Sequence, residues 1–120
     1  MSKKTQAIES MPPQVFKVLE GLGRNLRLAR KRRKISVAKL AQLALVSRNT
    51  VTRAEKGEPT VSIGVYASIL YVLQLEGDLE RIANPDKDDL GKTLSEEDIM
   101  GHLPSFSRLL RIGRDDDYNF

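Results

Sequence analysis

Arg48, Asn49, Thr52 and Arg53 carry the side chains of this chain best suited to reading the edges of bases. An arginine can give two parallel hydrogen bonds to guanine, an asparagine two to adenine, and a threonine offers a hydroxyl and a methyl group. At about 100° per residue the four fall within roughly 140° of a helical wheel, with Ser47, Val51, Ala54 and Glu55 on the other side. That distribution predicts a helix with one face packed and the other turned outward. A lone amphipathic helix with a solvated polar face has the same pattern, so the flanking elements must decide between the two readings.

Ser36 has the character of a helix N-cap, followed by Leu40, Leu43 and Ala44 at helical spacing. Ser47 offers a second cap soon after, and the helix it starts ends at Gly57, a residue suited to a left-handed cap. Two short helices with a tight corner, the second bearing base-reading residue types, point to a DNA-binding unit. Upstream, a helix is expected from about residue 14 to 33, with Leu19, Leu22, Leu26 and Ala29 on one arc and Arg30 beside it. Gly21 and Gly23 lie inside it at positions where glycine marks close packing or a bend. Downstream, Ser62 should cap a helix that buries Ile63, Tyr66, Ala67, Leu70 and Leu73, and a short fifth helix should cover about 78 to 83, before Asn84-Pro85.

Charge is divided unevenly along the chain. Residues 1–60 hold 14 Lys and Arg against 4 Glu, a balance of +10, whereas residues 61–120 hold 6 against 12 acidic residues, a balance of −6. The densest basic run is Arg27 to Lys34, at the end of the first long helix. Such a run serves as a solvated helix C-terminus, a phosphate-contacting patch or a basic membrane-surface helix. Its place beside a recognition helix favours phosphate contact for Lys31, Arg32 and Lys34, and leaves Arg30 to the core.

Composition narrows the classes further. The chain has 120 residues, no Cys and a single His, which leaves room for one small helical core and provides no disulfide framework or thiolate metal site. No apolar run approaches the roughly 20 residues of a membrane span, and a cytoplasmic location is expected. There is no glycine-rich phosphate loop and no acid pair on a predictable scaffold, so the expectation is a non-enzyme without metal or cofactor.

Residues 20–83 resemble the five-helix DNA-binding domain of the lambda-repressor/Cro superfamily, the xenobiotic-response-element type of helix-turn-helix. The resemblance implies an all-α fold and makes residues 47–56 the recognition helix, with Arg48, Asn49, Thr52 and Arg53 at base-reading positions. It also makes Arg30 and Glu55 an internal ion pair, and beside that recognition helix Lys31, Arg32, Lys34, Ser36, Ser47, Thr50 and Lys56 are the expected phosphate contacts. Two positions depart from the family pattern. Val37 stands where a Gln is frequent, and Leu45 stands at the corner usually given to Gly, where a side chain at positive φ costs roughly 1–2 kcal/mol. The expected organisation is a flexible tail over 1–12, the DNA-binding domain over 13–84 and a C-terminal extension over 85–120, partly disordered or partner-binding.

The extension is acidic yet contains Phe106, Leu109, Leu110, Tyr118 and Phe120. A helix capped by Asp86 is expected over 86–94. The remainder reads either as a solvated acidic tail or as a segment that orders on a partner. A narrower resemblance rests on Leu40-Ala41, Val46-Ser47-Arg48, Glu55-Lys56-Gly57, Ser62-Ile63, Ala83-Asn84-Pro85 and Asp89-Leu90-Gly91. These look like the HipB-type antitoxins, which repress their own operon and bind a HipA-type kinase toxin. That resemblance implies a homodimeric repressor on a palindromic double-stranded operator, with the apolar tail residues facing the toxin. A free-standing regulator and an interaction adaptor without DNA binding are the alternatives.

Overall fold

Three serines set the helix starts. Ser36, Ser47 and Ser62 each accept a hydrogen bond on Oγ from the backbone N–H three residues on, Lys39 at 3.0 Å, Thr50 at 3.0 Å and Val65 at 3.2 Å. Each bond satisfies one of the donors that a first helical turn leaves unpaired. The computed structural model describes residues 6–99. Its elements are α1 (Gln6–Glu9), α2 (Pro13–Arg32), α3 (Val37–Ala44), α4 (Arg48–Glu55) and α5 (Ile63–Val72), then 3-10 turns at Glu76–Arg81 and Pro85–Lys87, and α6 (Asp89–Ile99). The fold is all-α, with no strand among the described residues. Two compact units divide the chain, one ending at Glu80 and one starting at Arg81.

The four main helices stop in the same way. Lys34, Leu45, Gly57 and Gln74 follow the ends of α2, α3, α4 and α5 in the left-handed region, at φ of 56°, 60°, 73° and 66°. At each end the N–H of the next residue bonds back to a carbonyl five residues earlier: Ile35 to Arg30, Val46 to Ala41, Glu58 to Arg53 and Leu75 to Leu70. This is the Schellman closure, and it needs only backbone atoms and a positive φ. Three of the four positions bear side chains at that strained φ. The corner between α3 and α4 is therefore left-handed at Leu45, whose side chain is 90% exposed.

The core of the first unit is built from one stripe of each of α2 to α5. Leu26, Leu40, Val51, Ile69 and Leu73 are fully buried, and Ala29, Ala41, Ala44, Ala54, Val61, Tyr66 and Leu70 complete the cluster. Each fully buried aliphatic side chain contributes about 1.5–3 kcal/mol relative to an exposed one. Small residues let the backbones approach: a Cβ on Gly23 would stand 2.5 Å from the Glu55 carbonyl oxygen and 2.6 Å from the Gly57 nitrogen. A Cβ on Gly57 would in turn collide with the Leu19 carbonyl. Glycine at both positions is thus a condition for α2 to lie against the end of α4.

Four expectations change. Residues 6–9, within the segment read as a flexible tail, form a helical turn closed by Met11 N–H on Ile8 O. Along α5, Ile63 is 68% exposed and Ile69 is buried in its place, because a helix of almost uniformly apolar residues has no polar face to fix its phase. The fifth helix is a 3-10 turn that starts earlier, at Glu76, with Gly77 and the Asp78 N–H to Leu75 O bond favouring the tighter winding. In the second unit Asp88, not Asp86, starts the helix: its Oδ1 accepts from Gly91 N at 2.9 Å, and α6 runs on to Ile99. Asp86 is taken up by the turn before it, where its N–H donates to Asn84 Oδ1 at 3.0 Å.

Candidate nucleic-acid interface

Helix α4 is held from behind. Val51 and Ala54 have no exposed surface, and α4 packs against α2, α3 and α5. The Glu55 carboxylate accepts from Arg30 Nε at 2.6 Å and Nη2 at 3.1 Å, while Arg30 Nη1 donates to Ile35 O at 3.0 Å. The two side chains are 10% and 7% exposed, so a planar guanidinium with all three nitrogens engaged ties α2 to α4 inside the core. Fixed in this way, α4 turns Arg48, Asn49 and Thr52 outward, all exposed. Arg53 is placed differently. Its side chain is 33% exposed, and it donates from Nε to Glu58 Oε1 at 3.0 Å and from Nη2 to Thr60 Oγ1 at 2.6 Å.

The two helix starts share a concavity. Ser36, Lys39, Gln42, Ser47 and Arg48 line an open groove of about 630 Å³ between α3 and α4. Ser47 Oγ also lies 2.8 Å from Thr50 Oγ1, which places two hydroxyls at the N-terminus of α4. Helix N-termini favour anions through their unpaired N–H groups and dipole, so this rim suits a phosphate. Lys39 and Gln42 escaped selection from sequence. The available signal was their spacing, since Ser36, Lys39 and Gln42 lie three residues apart and so recur on one side of α3.

The other cations expected at phosphates are exposed as well. Lys31, Arg32 and Lys34 are exposed at the end of α2, where basic residues also suit the helix dipole. Lys56 is exposed just past α4. Phe106, Leu109, Leu110, Tyr118 and Phe120, selected as partner-binding residues, lie outside the described residues.

A family profile for the helix-turn-helix domain matches residues 21–82, just over half of the chain. The chain belongs to the helix-turn-helix domain family. Within the helix-turn-helix, α3 is the supporting helix, Leu45 to Ser47 form the turn, and α4 is the second helix that such domains lay in the major groove. Family membership marks a DNA-binding protein of the transcription-regulator class, a class that typically has no enzymatic activity. No curated protein and no solved structure matches the chain. Among the described residues no helix is long and apolar enough to cross a membrane, and no group of side chains could hold a metal ion.

Proposed function

We propose that this protein is a sequence-specific repressor that binds a palindromic operator as a homodimer. The observation that carries the reading is the outward face of α4: Arg48, Asn49 and Thr52 stand exposed on a helix whose other side is locked by Val51, Ala54 and the Arg30–Glu55 pair. Lys31, Arg32, Lys34 and Lys56, with the hydroxyls of Ser36, Ser47 and Thr50, are the proposed phosphate contacts. A single helix reads only a few base pairs, and two half-sites about 34–36 Å apart supply the rest. An exposed apolar groove of about 360 Å³ on the same unit, lined by Leu43, Leu45, Tyr71 and Val72, supports self-association. Footprinting on the DNA preceding the protein's own reading frame tests the proposal. Protection of two symmetric half-sites supports it, and binding without sequence preference refutes it.

The narrower reading is an antitoxin that neutralises a HipA-like kinase and represses the shared operon. Its support is the sequence resemblance through Ala83-Asn84-Pro85 and Asp89-Leu90-Gly91, and the apolar residues of an acidic C-terminal segment. A chain ending at Gly101 should keep operator binding and lose kinase neutralisation. Unchanged kinase binding would make residues 102–120 a solvated tail and move the kinase contact elsewhere, whereas a full chain that binds no kinase, or a neighbouring reading frame that encodes none, would leave a free-standing regulator.

A further inference from the structure

Arg53 is the one arginine on α4 whose guanidinium is bound on one edge and open on the other. Its side-on edge, Nε and the adjoining Nη2, is filled by Glu58 Oε1 at 3.0 Å and Thr60 Oγ1 at 2.6 Å. The end-on edge, Nη1 with the second proton of Nη2, has no hydrogen-bond partner among the described residues. That edge is a two-pronged donor of the shape that meets guanine O6 and N7.

The residues that hold Arg53 are themselves fixed. Glu58 donates its N–H to Arg53 O at 3.2 Å, and its carbonyl accepts from Val61 N at 3.2 Å and from the Tyr66 hydroxyl at 3.0 Å. Pro59 then restricts the chain between the two buttressing side chains. The Arg53–Glu58 side chains are 33% and 39% exposed, and an ion pair that open to solvent contributes little to stability. Holding a flexible arginine in one rotamer reduces the ordering cost when it binds.

We infer that Glu58 and Thr60 are positioning residues that aim Arg53 at a guanine in the operator. The inference rests on the repressor reading and adds specificity residues outside the helix-turn-helix segment itself. It separates Arg53 from Arg48: the exposed Arg48 side chain has no hydrogen-bond partner among the described residues, whereas Arg53 reaches DNA with its geometry preset.

The test measures wild-type and variant full-length proteins on duplexes that the wild-type protein selects from random sequence, with every base pair of the site varied in turn. Arg53→Ala should abolish a guanine preference at one position in each half-site, a loss of roughly tenfold or more. Thr60→Val and Glu58→Ala should weaken the preference at that same position severalfold, Thr60→Ser should retain it, and Glu58→Ala should bind random DNA at least as well as wild type because an anion is removed. Thr60 is exposed, so its two variants report on the hydroxyl and not on folding. An unchanged guanine preference in both Thr60→Val and Glu58→Ala overturns the inference. Equal weakening of selected and random duplexes by Arg53→Ala also overturns it and makes Arg53 a phosphate contact. If Arg48→Ala destroys selection while no Arg53-dependent guanine exists, the inference fails alone; if the wild-type protein selects nothing, the repressor reading fails with it.

Discussion

Arg30 and Glu55 meet in a two-point ion pair, Nε to Oε2 at 2.6 Å and Nη2 to Oε1 at 3.1 Å, between the basic end of α2 and the last residue of α4. The pair links the helix that carries the positive surface to the helix that carries Arg48, Asn49 and Thr52. Removing either partner alone should destabilise the fold by about 3–5 kcal/mol, because the other charge stays buried without compensation. The double variant should lose less than the sum. Urea unfolding of the two single variants and the double variant checks this, and additive losses would show that the pair does not interact.

The left-handed helix ends make an opposite pair of expectations. Gly57→Ala should cost about 3 kcal/mol or more, since its Cβ meets the Leu19 backbone on top of the penalty for a side chain at φ 73°. Leu45→Gly should be neutral or stabilising by up to about 1 kcal/mol, because strain at φ 60° is released and the side chain it removes is 90% exposed. Thermal unfolding of the two variants gives the comparison.

Tyr66 sets a limit on alkaline stability. Burial first, and then the nearby Glu58 charge, raise the Tyr66 pKa above 10.0, with Arg53 opposing. Below pH 10 the folded and unfolded chains both hold the proton, and the stability linked to it is complete. Above pH 10 the unfolded tyrosine ionises first, so stability falls until the folded hydroxyl also titrates. Tyr66→Phe should cost about 1 kcal/mol at neutral pH, through the lost bond to Glu58 O, and should flatten this alkaline fall. Denaturant titrations from pH 8 to about 11 read both effects.

What was legible in the sequence follows from how local the physics is. Ser36, Ser47 and Ser62 could be read as caps because a serine before a helical apolar pattern acts within three residues. The Arg30–Glu55 pair came from the resemblance and from Arg30 standing beside an apolar arc. The left-handed corner at Leu45 was harder, since a Schellman closure is made of backbone atoms and leaves no side-chain signature unless the residue is glycine. Arg53 illustrates a different gap. Wheel position alone groups it with Arg48, Asn49 and Thr52, but its partners Glu58 and Thr60 lie five and seven residues on, past the end of α4, where no helical spacing relates them. The phase of α5 was also hidden, because Ile63 and Ile69 are chemically alike and only packing distinguishes them.

In the proposed function the outward face of α4 reads bases while the cations at the end of α2 hold phosphates. Its most direct test is the affinity of Arg48→Ala and Lys31→Ala for a selected duplex and for a random duplex across a range of salt concentrations. Arg48→Ala should lose about 1–3 kcal/mol on the selected duplex and little on the random one. Lys31→Ala should weaken both alike and lower the salt slope by about one unit. Equal losses on the two duplexes for Arg48→Ala would remove Arg48 from the base-reading face and contradict the proposed function.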